Sequence, residues 1–443
     1  MGVHGLWKLL AVGKKHVDLE YLIGKRLAID ASIWLHQSLK GYGSTRSLYL
    51  RVLFHRICKL LYFNIKPLFV FDGKVPELKR GVISNRKVSH YRVWLDMDDQ
   101  ELGREMEKFD KQHQATSEEC FNEAKGLLRL FGIPYVDSPE EAEAQCAALQ
   151  MNNLVDYIAT EDSDVWLFGA TKVVKNLFAP GSSSSSKKGN RHVKSVKDML
   201  LYEANDFERI LNLTKFDLIR IALFTGSDYT PGVKNVGPVT AMEILSEFPK
   251  NPQEKDAEDV LEPLEKLKNW IAENSEKRDK LVSPVKRNLA KIKLPESFPQ
   301  LPVIRAYLEP SVANINYEEN PFVWKEVRLR DLIRFCADVF EWSGNYSESV
   351  ISNVIKSQKR YAENKPNEQR FISDFCAPKT KSDLDLVNLP SKRVRKAVKG
   401  EEHKAPKKRM KKAAKVEKLC LFDDDFPELD DSEWNKIDQL SKC

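Results

Sequence analysis

Three short apolar runs, each closing on an acidic residue, constrain the fold of this chain more than anything else in it. They are residues 26–30 (RLAID), 67–72 (PLFVFD) and 156–162 (DYIATED). Continuous β-prone runs of this length are what strands buried on both faces of a parallel sheet require. Helical periodicity separates them, over 48–62 (LYLRVLFHRICKLLY) and over 116–131 with Gly132 as a stop. Alternating strands and helices predict an α/β fold with a mostly parallel central sheet flanked by helices. In such sheets the functional crevice lies at the carboxyl ends of the strands, where Asp30, Asp72 and Asp162 fall.

Further acids join these three: Glu141 and Glu143 in SPEEAEAQCAAL, Asp164 beside Asp162 in TEDSD, and Asp228 in FTGSDYTPG. Each has a bland reading. Ser138 and Glu141 have the spacing of a helix capping box, and Asp162, Asp164 and Asp228 suit turns. Together they say more. If the third strand continues through them, the i, i+2 spacing points Asp162 and Asp164 to one side. Converging carboxylates repel unless protonated or neutralised by cations. A ligand set made only of oxygens favours Mg²⁺, with Mn²⁺ as a substitute, over zinc. Two such ions suit in-line phosphoryl displacement, so the chemistry expected is phosphodiester hydrolysis.

Composition excludes several classes. Seven scattered cysteines without a C-x-x-C pair, and eight histidines without a paired-ligand spacing, argue against a disulfide framework or a zinc site. No apolar run reaches the roughly 18 residues of a membrane span. Leu6 defeats a myristoylation reading of Gly2. The expectation is a soluble monomer with no membrane partner. The net charge of +6 is modest but unevenly spread. Residues 392–418 carry 13 Lys/Arg against 3 acids, and 419–443 carry 8 acids against 2 Lys. Opposed blocks of this kind read as solvated tails.

At these motifs the chain resembles the XPG/Rad2 family of structure-specific nucleases. The resemblance rests on MGVHGLWKLL, LAIDASIWLHQ, FVFDGKVPELKR, LLRLFGIPYVDSPEEAEAQCAAL, TEDSDVWLFGA and FTGSDYTPGVKNVGPVTAMEILSEFP. The wording of several motifs sits nearest the excision-repair branch, with an unusually short spacer. The resemblance implies a 5′-nuclease (PIN-like) fold. The nuclease domain has its N-terminal half over 1–95, a spacer or helical arch insert over 96–118, and its internal half over 119–345. A helix-two-turn-helix falls at about 216–248, and a largely disordered tail over 346–443.

It further implies that Asp30, Asp72, Glu141, Glu143, Asp162, Asp164 and Asp228 hold two metal ions, and that Lys79 and Arg86 face the scissile phosphate. Gly2 is placed by the substrate. Gly232, Val233, Lys234, Val236 and Gly237 are expected to bind duplex DNA, with a K⁺ held by the carbonyls of Gly232, Val233 and Val236. A Gly-rich turn entering a helix presents N–H groups to phosphate, which agrees with that reading.

In the tail, Gln369, Ile372 and Phe375 resemble a PCNA-interacting box, with Cys376 in place of its last aromatic residue. Residues 392–412 read as a nuclear-localisation signal, or else as a basic tail contacting DNA. The acidic end alternates with Phe426, Leu429 and Trp434 and suits a repair or transcription factor. The activity expected is a nuclear endonuclease cutting DNA at single-strand/duplex junctions, a bubble or a 5′ flap, in excision repair. The alternatives are a replication-type flap endonuclease, a Holliday-junction resolvase, a 5′ exonuclease, or a catalytically silent scaffold that binds branched DNA.

Overall fold

The computed structural model describes residues 2–35, 46–82, 118–178, 199–248, 253–276, 284–316, 321–363 and 391–399. Seven strands form one sheet: β1 (Lys15–His16), β2 (Arg26–Asp30), β3 (Lys66–Phe71), β4 (Tyr135–Asp137), β5 (Tyr157–Ala159), β6 (Lys172–Lys175) and β7 (Leu200–Glu203). Their order is β1-β7-β6-β5-β2-β3-β4. The pairs β4–β3, β3–β2, β2–β5 and β5–β6 are parallel, and β6–β7 and β7–β1 are antiparallel. The three apolar runs are thus the three adjacent strands β5, β2 and β3, none of them at the sheet edge.

Alternation along the strands divides the interior into two cores. Ala28, Leu68, Val70, Ile158 and Val173 face one core, together with the helices Ala142–Met151, Lys215–Thr225 and Leu301–Leu308. Leu27, Ile29, Phe69, Phe71 and Ala159 face the other, against the helices Arg46–Tyr62, Leu329–Phe340 and Gly344–Glu363 and the helix over 118–131.

Two expectations are corrected here. The third strand does not continue through the acids; it ends at Ala159, and Asp164 opens a 3₁₀ turn over Asp164–Trp166. Asp162 N donates to Thr160 Oγ1 (3.1 Å), and Asp164 N donates to Asp162 Oδ1 (3.0 Å). These local side-chain bonds replace the ladder that a longer strand would need. Second, the folded body does not stop at 346. The helix Gly344–Glu363 buries Val350, Ile351 and Val354 in the second core, and Ser357 Oγ donates to the Tyr62 carbonyl (2.7 Å).

The basic segment also contains structure. The helix Lys392–Lys399 packs on the helix Pro238–Glu247, with Val394 fully buried in the first core and Arg393 paired to Glu243. The rest of the basic segment, the acidic end, the PCNA-box-like Gln369, Ile372 and Phe375, Arg86, and nearly all of the 96–118 insert lie outside the described residues. No helix among the described residues is long and apolar enough to cross a membrane.

Candidate active site

Strand ends and one helix start bring the acids together. Asp30 is the last residue of β2, Asp72 follows β3, and Asp162 follows β5. The segment that carries Glu141 and Glu143 is laced to the end of β3. Ser138 N donates to the Phe71 carbonyl (2.9 Å), Gly73 N to the Glu140 carbonyl (2.7 Å) and Lys74 N to the Pro139 carbonyl (2.9 Å). Ala142 N then donates to Asp72 Oδ1 (2.8 Å), so Asp72 supplies an anion to the N-terminus of the helix Ala142–Met151.

That arrangement overturns the capping-box alternative. The helix starts at Ala142 with Glu141 as its cap residue, no side chain caps it through the box, and Ser138 Oγ donates to the Glu141 carbonyl (3.0 Å). The Glu141 carboxylate pairs instead with the Lys79 ammonium, which also lies 3.4 Å from Asp228 Oδ2. The other expected acids adjoin these closely enough to interact electrostatically, so all seven form one cluster. Asp30, Glu141, Glu143, Asp162 and Asp164 are buried in it, and Asp72 and Asp228 are half-buried.

Burial is the first cause of the site's electrostatics, and neighbouring acids the next. The Asp30 carboxyl is pushed up to about 8 by burial and then by Asp72. Glu143 is driven well upward by burial, Asp30 and Asp72, and Asp164 by burial, Asp162 and Asp228. Asp162 and Glu141 also move up, chiefly through burial; Lys79 opposes the shift at Glu141. Burial alone would lower the Lys79 ammonium, but Glu141, Glu143 and Asp228 outweigh it and hold the proton on. This much desolvated acid is stable only with protons or cations among the oxygens.

The donor set is all oxygen, which suits a hard divalent ion. Asp164 Oδ1 is buried without a hydrogen-bond partner, an acceptor left for such an ion. Among the described residues no three of these carboxylates already close into a preformed ligand shell. With Lys79 standing between Glu141 and Asp228, the site is held in a cation-balanced form that divalent ions would have to rearrange.

The chain start lies against the same acids. A Cβ on Gly2, whose φ is +82°, would stand 2.1 Å from Asp162 Oδ1 and 2.5 Å from Asp164 Oδ1, so only glycine fits. His4 N donates to the Gly226 carbonyl (3.1 Å), which fastens this end to the turn carrying Asp228.

Beyond Asp228 that turn leads into the predicted helix-two-turn-helix. Gly232, at φ +77°, faces Gly226 so closely that a Cβ would meet Gly226 N at 2.4 Å. Val233 and Val236 are buried and anchor the turn, Lys234 and Gly237 are exposed, and Gly237 caps the helix Pro238–Glu247. A Cβ on Gly237 would meet nothing within 4 Å, which leaves that helix start open to a ligand.

Four supporting residues escaped the sequence reading. Ser32 Oγ accepts from Asp72 N (3.1 Å), and Thr160 Oγ1 donates to Asp30 Oδ2 (3.2 Å). Tyr229 donates to Glu141, and Tyr307 reaches Asp164. Ser32 and Tyr229 adjoin recognised acids and were findable by adjacency; Tyr307 carried no local signal.

Taken together, an α/β sheet with a largely buried cluster of carboxylates at its carboxyl edge, beside a glycine turn, defines a class of protein suited to cation-assisted phosphate chemistry. Comparison with known proteins narrows that class. Residues 1–92 match the XPG N-terminal domain and residues 132–228 the XPG I-region. The DNA excision repair protein ERCC-5 homolog of Xenopus laevis is 36% identical over 289 residues, covering 64% of this chain and 21% of that protein. Flap endonuclease 1 of Drosophila mojavensis is 33% identical over 294 residues, covering 62% of this chain and 70% of that protein. Among solved structures, the catalytic core of Rad2 in complex with DNA substrate superimposes with a TM-score of 0.62 at 34% identity, covering 80% of this chain and all of that one. The chain belongs to the XPG/Rad2 family of nucleases. It spans only about a fifth to a quarter of the length of its excision-repair relatives from Xenopus laevis and Mus musculus.

Proposed function

We propose that this protein is a Mg²⁺-dependent structure-specific endonuclease that hydrolyses DNA phosphodiester bonds near single-strand/duplex junctions, in nucleotide excision repair. The observation that carries the reading is the gathering of Asp30, Asp72, Glu141, Glu143, Asp162, Asp164 and Asp228 into one largely buried cluster that Lys79 also joins. Seven mutually repelling carboxylates serve no purpose in a silent scaffold, so the enzymatic reading is favoured over that one.

In this reading the seven acids hold two Mg²⁺, or Mn²⁺ in its place. When bound, such ions polarise the phosphate and stabilise the attacking and leaving oxygens. Lys79 leaves its carboxylate partners for the scissile phosphate, where a cation offsets charge developing in the transition state; Arg86 is assigned the same duty. Gly2 keeps the floor beside Asp162 and Asp164 narrow and free of side chain. The exposed Lys234 and Gly237 would meet the duplex backbone, and the carbonyls of Gly232, Val233 and Val236 would hold a K⁺ there. Contacts to phosphate position the junction without reading its sequence.

Nuclear residence rests on residues 392–412, and PCNA contact on Gln369, Ile372 and Phe375. A repair or transcription factor is the partner assigned to the acidic end. A flap-processing role is the second reading, supported by the 33% identity over 294 residues to flap endonuclease 1 of Drosophila mojavensis.

The test is a panel of bubble, threaded 5′ flap and four-way junction DNA with mapped cut sites in Mg²⁺, run beside Asp162→Asn. Incision of the bubble on its 3′ side, lost in the variant while binding persists, supports the excision-repair reading. Preference for the flap moves the assignment to the second reading. Undiminished cutting by Asp162→Asn would falsify the site.

A further inference from the structure

Tyr307 lies on the helix Leu301–Leu308, far along the chain from every acid of the pocket, and is fully buried. Its hydroxyl is 3.1 Å from Asp164 Oδ2 and 2.8 Å from Ser227 Oγ. A phenol has one proton to give, and a carboxylate in the ionised form that holds a cation only accepts. In that ionised form Tyr307 would give its proton to Asp164 and accept from Ser227. The ring has little freedom, because Phe168 and Tyr229 pack on it with centroids 5.3 and 5.0 Å away. Ser227, itself fully buried, accepts from Tyr229 N (3.2 Å) and directly precedes Asp228.

One hydroxyl thus joins two acid-bearing segments that approach the pocket from different parts of the fold. Asp164 follows β5, and Asp228 sits in the glycine turn after the helix Lys215–Thr225. With Oδ2 held by Tyr307, the orientation of the Asp164 carboxylate is set, and its unpartnered Oδ1 faces the side where Gly2 and Asp162 meet.

We propose that Tyr307 is a positioning residue for the divalent-ion site. It fixes the Asp164 carboxylate and, through Ser227, the spacing between Asp164 and the Asp228 turn. The inference deepens the nuclease reading and rests on it. Partners that orient ligating carboxylates commonly contribute 10–100-fold in metal affinity.

The test uses the full chain and Tyr307→Phe, which keeps the buried ring and removes only the hydroxyl. Mn²⁺ binding is measured without DNA by calorimetry and by electron paramagnetic resonance, and cleavage of a 5′ flap is followed across a Mg²⁺ titration. The expected result is Mn²⁺ affinity weakened about 10–100-fold. The Mg²⁺ midpoint for cleavage should rise correspondingly, and most of the rate should return at high Mg²⁺. Ser227→Ala, which leaves Tyr307 and Asp164 in place, is expected to shift the midpoint in the same direction by less, and it decides the matter should the phenylalanine variant fold poorly.

Mn²⁺ affinity equal to wild type in both variants overturns the proposal, as does a rate loss that no Mg²⁺ concentration recovers. If the wild-type chain itself binds no Mn²⁺ and cuts nothing, the nuclease reading has failed. If wild type binds and cuts while the variants match it, only the role of Tyr307 has.

Discussion

The Lys79 ammonium is shared between Glu141 and Asp228, ion-paired to the first and 3.4 Å from the second. One side chain thus spans the acids that start the helix Ala142–Met151 and those of the glycine turn. On the proposed reading, Lys79→Met removes a cation from beside the reacting phosphate. Single-turnover cleavage is expected to fall about 10²–10³-fold, the usual cost of removing one transition-state donor. Junction affinity should change little. A loss confined to affinity would reassign Lys79 to binding.

Gly2 offers a second probe of the same pocket. Alanine there would drive a Cβ to 2.1 Å from Asp162 Oδ1 in a backbone conformation that already disfavours side chains. Because displacements of about 1 Å at reacting groups can cost 10²-fold, Gly2→Ala is expected to cut about 100-fold more slowly. Wild-type turnover by the variant would remove the chain start from the site.

The metal-free protein should lose stability as pH rises. Asp30 keeps its proton to about 8 when folded, whereas its unfolded value is 3.8, so the folded state binds the extra proton between the two. That contribution is fully present below the unfolded value and is lost as pH climbs through about 8. Glu143 and Asp164, also pushed upward, act in the same sense. In chelator, the melting temperature should fall by several degrees between pH 6 and pH 8, and added Mg²⁺ should reverse the fall. A flat profile would mean that the acids are less buried than described.

Arg220 should dominate the stability of the module that carries the glycine turn. Fully buried, it pairs with Asp217 (3.2 Å) and Glu254 (2.7 Å) and donates to the carbonyls of Asp259 and Val260. Removing one member of a buried charge network strands the others, so Arg220→Met is expected to destabilise by about 3–5 kcal/mol in denaturant titration. The exposed Arg393–Glu243 pair gives a contrast; Arg393→Ala should cost under about 1 kcal/mol.

Much of this was legible from sequence because buried parallel strands must be apolar along their whole length. The runs closing at Asp30 and Asp72 became β2 and β3 almost to the residue, and alternation with helices gave the layers. The run closing at Asp162 misled at its end. The side chains of Thr160 and Asp162 accept from the backbone N–H two residues on, at Asp162 and Asp164, and that local competition ended the strand at Ala159. Tyr307 was illegible for another reason. A hydroxyl meeting a carboxylate 143 positions away leaves no period and no spacing. The helices Gly344–Glu363 and Lys392–Lys399 were under-read because polar and charged residues outnumber the few that pack, such as Ile351 and Val354 in one and Val394 in the other.

Val394 gives the segment Lys392–Lys399 a part in holding the molecule together. The helix Gly344–Glu363 closes the core on one face of the sheet, and the helix Lys392–Lys399 plugs into the core on the other. Cutting the chain after Glu363 would therefore strip the plug as well as everything beyond it. Effects of such a shortened protein on trafficking or partner capture would be confounded by a weakened seat for the helix Pro238–Glu247. Point changes within 364–390 avoid that confusion, since both moorings stay in place.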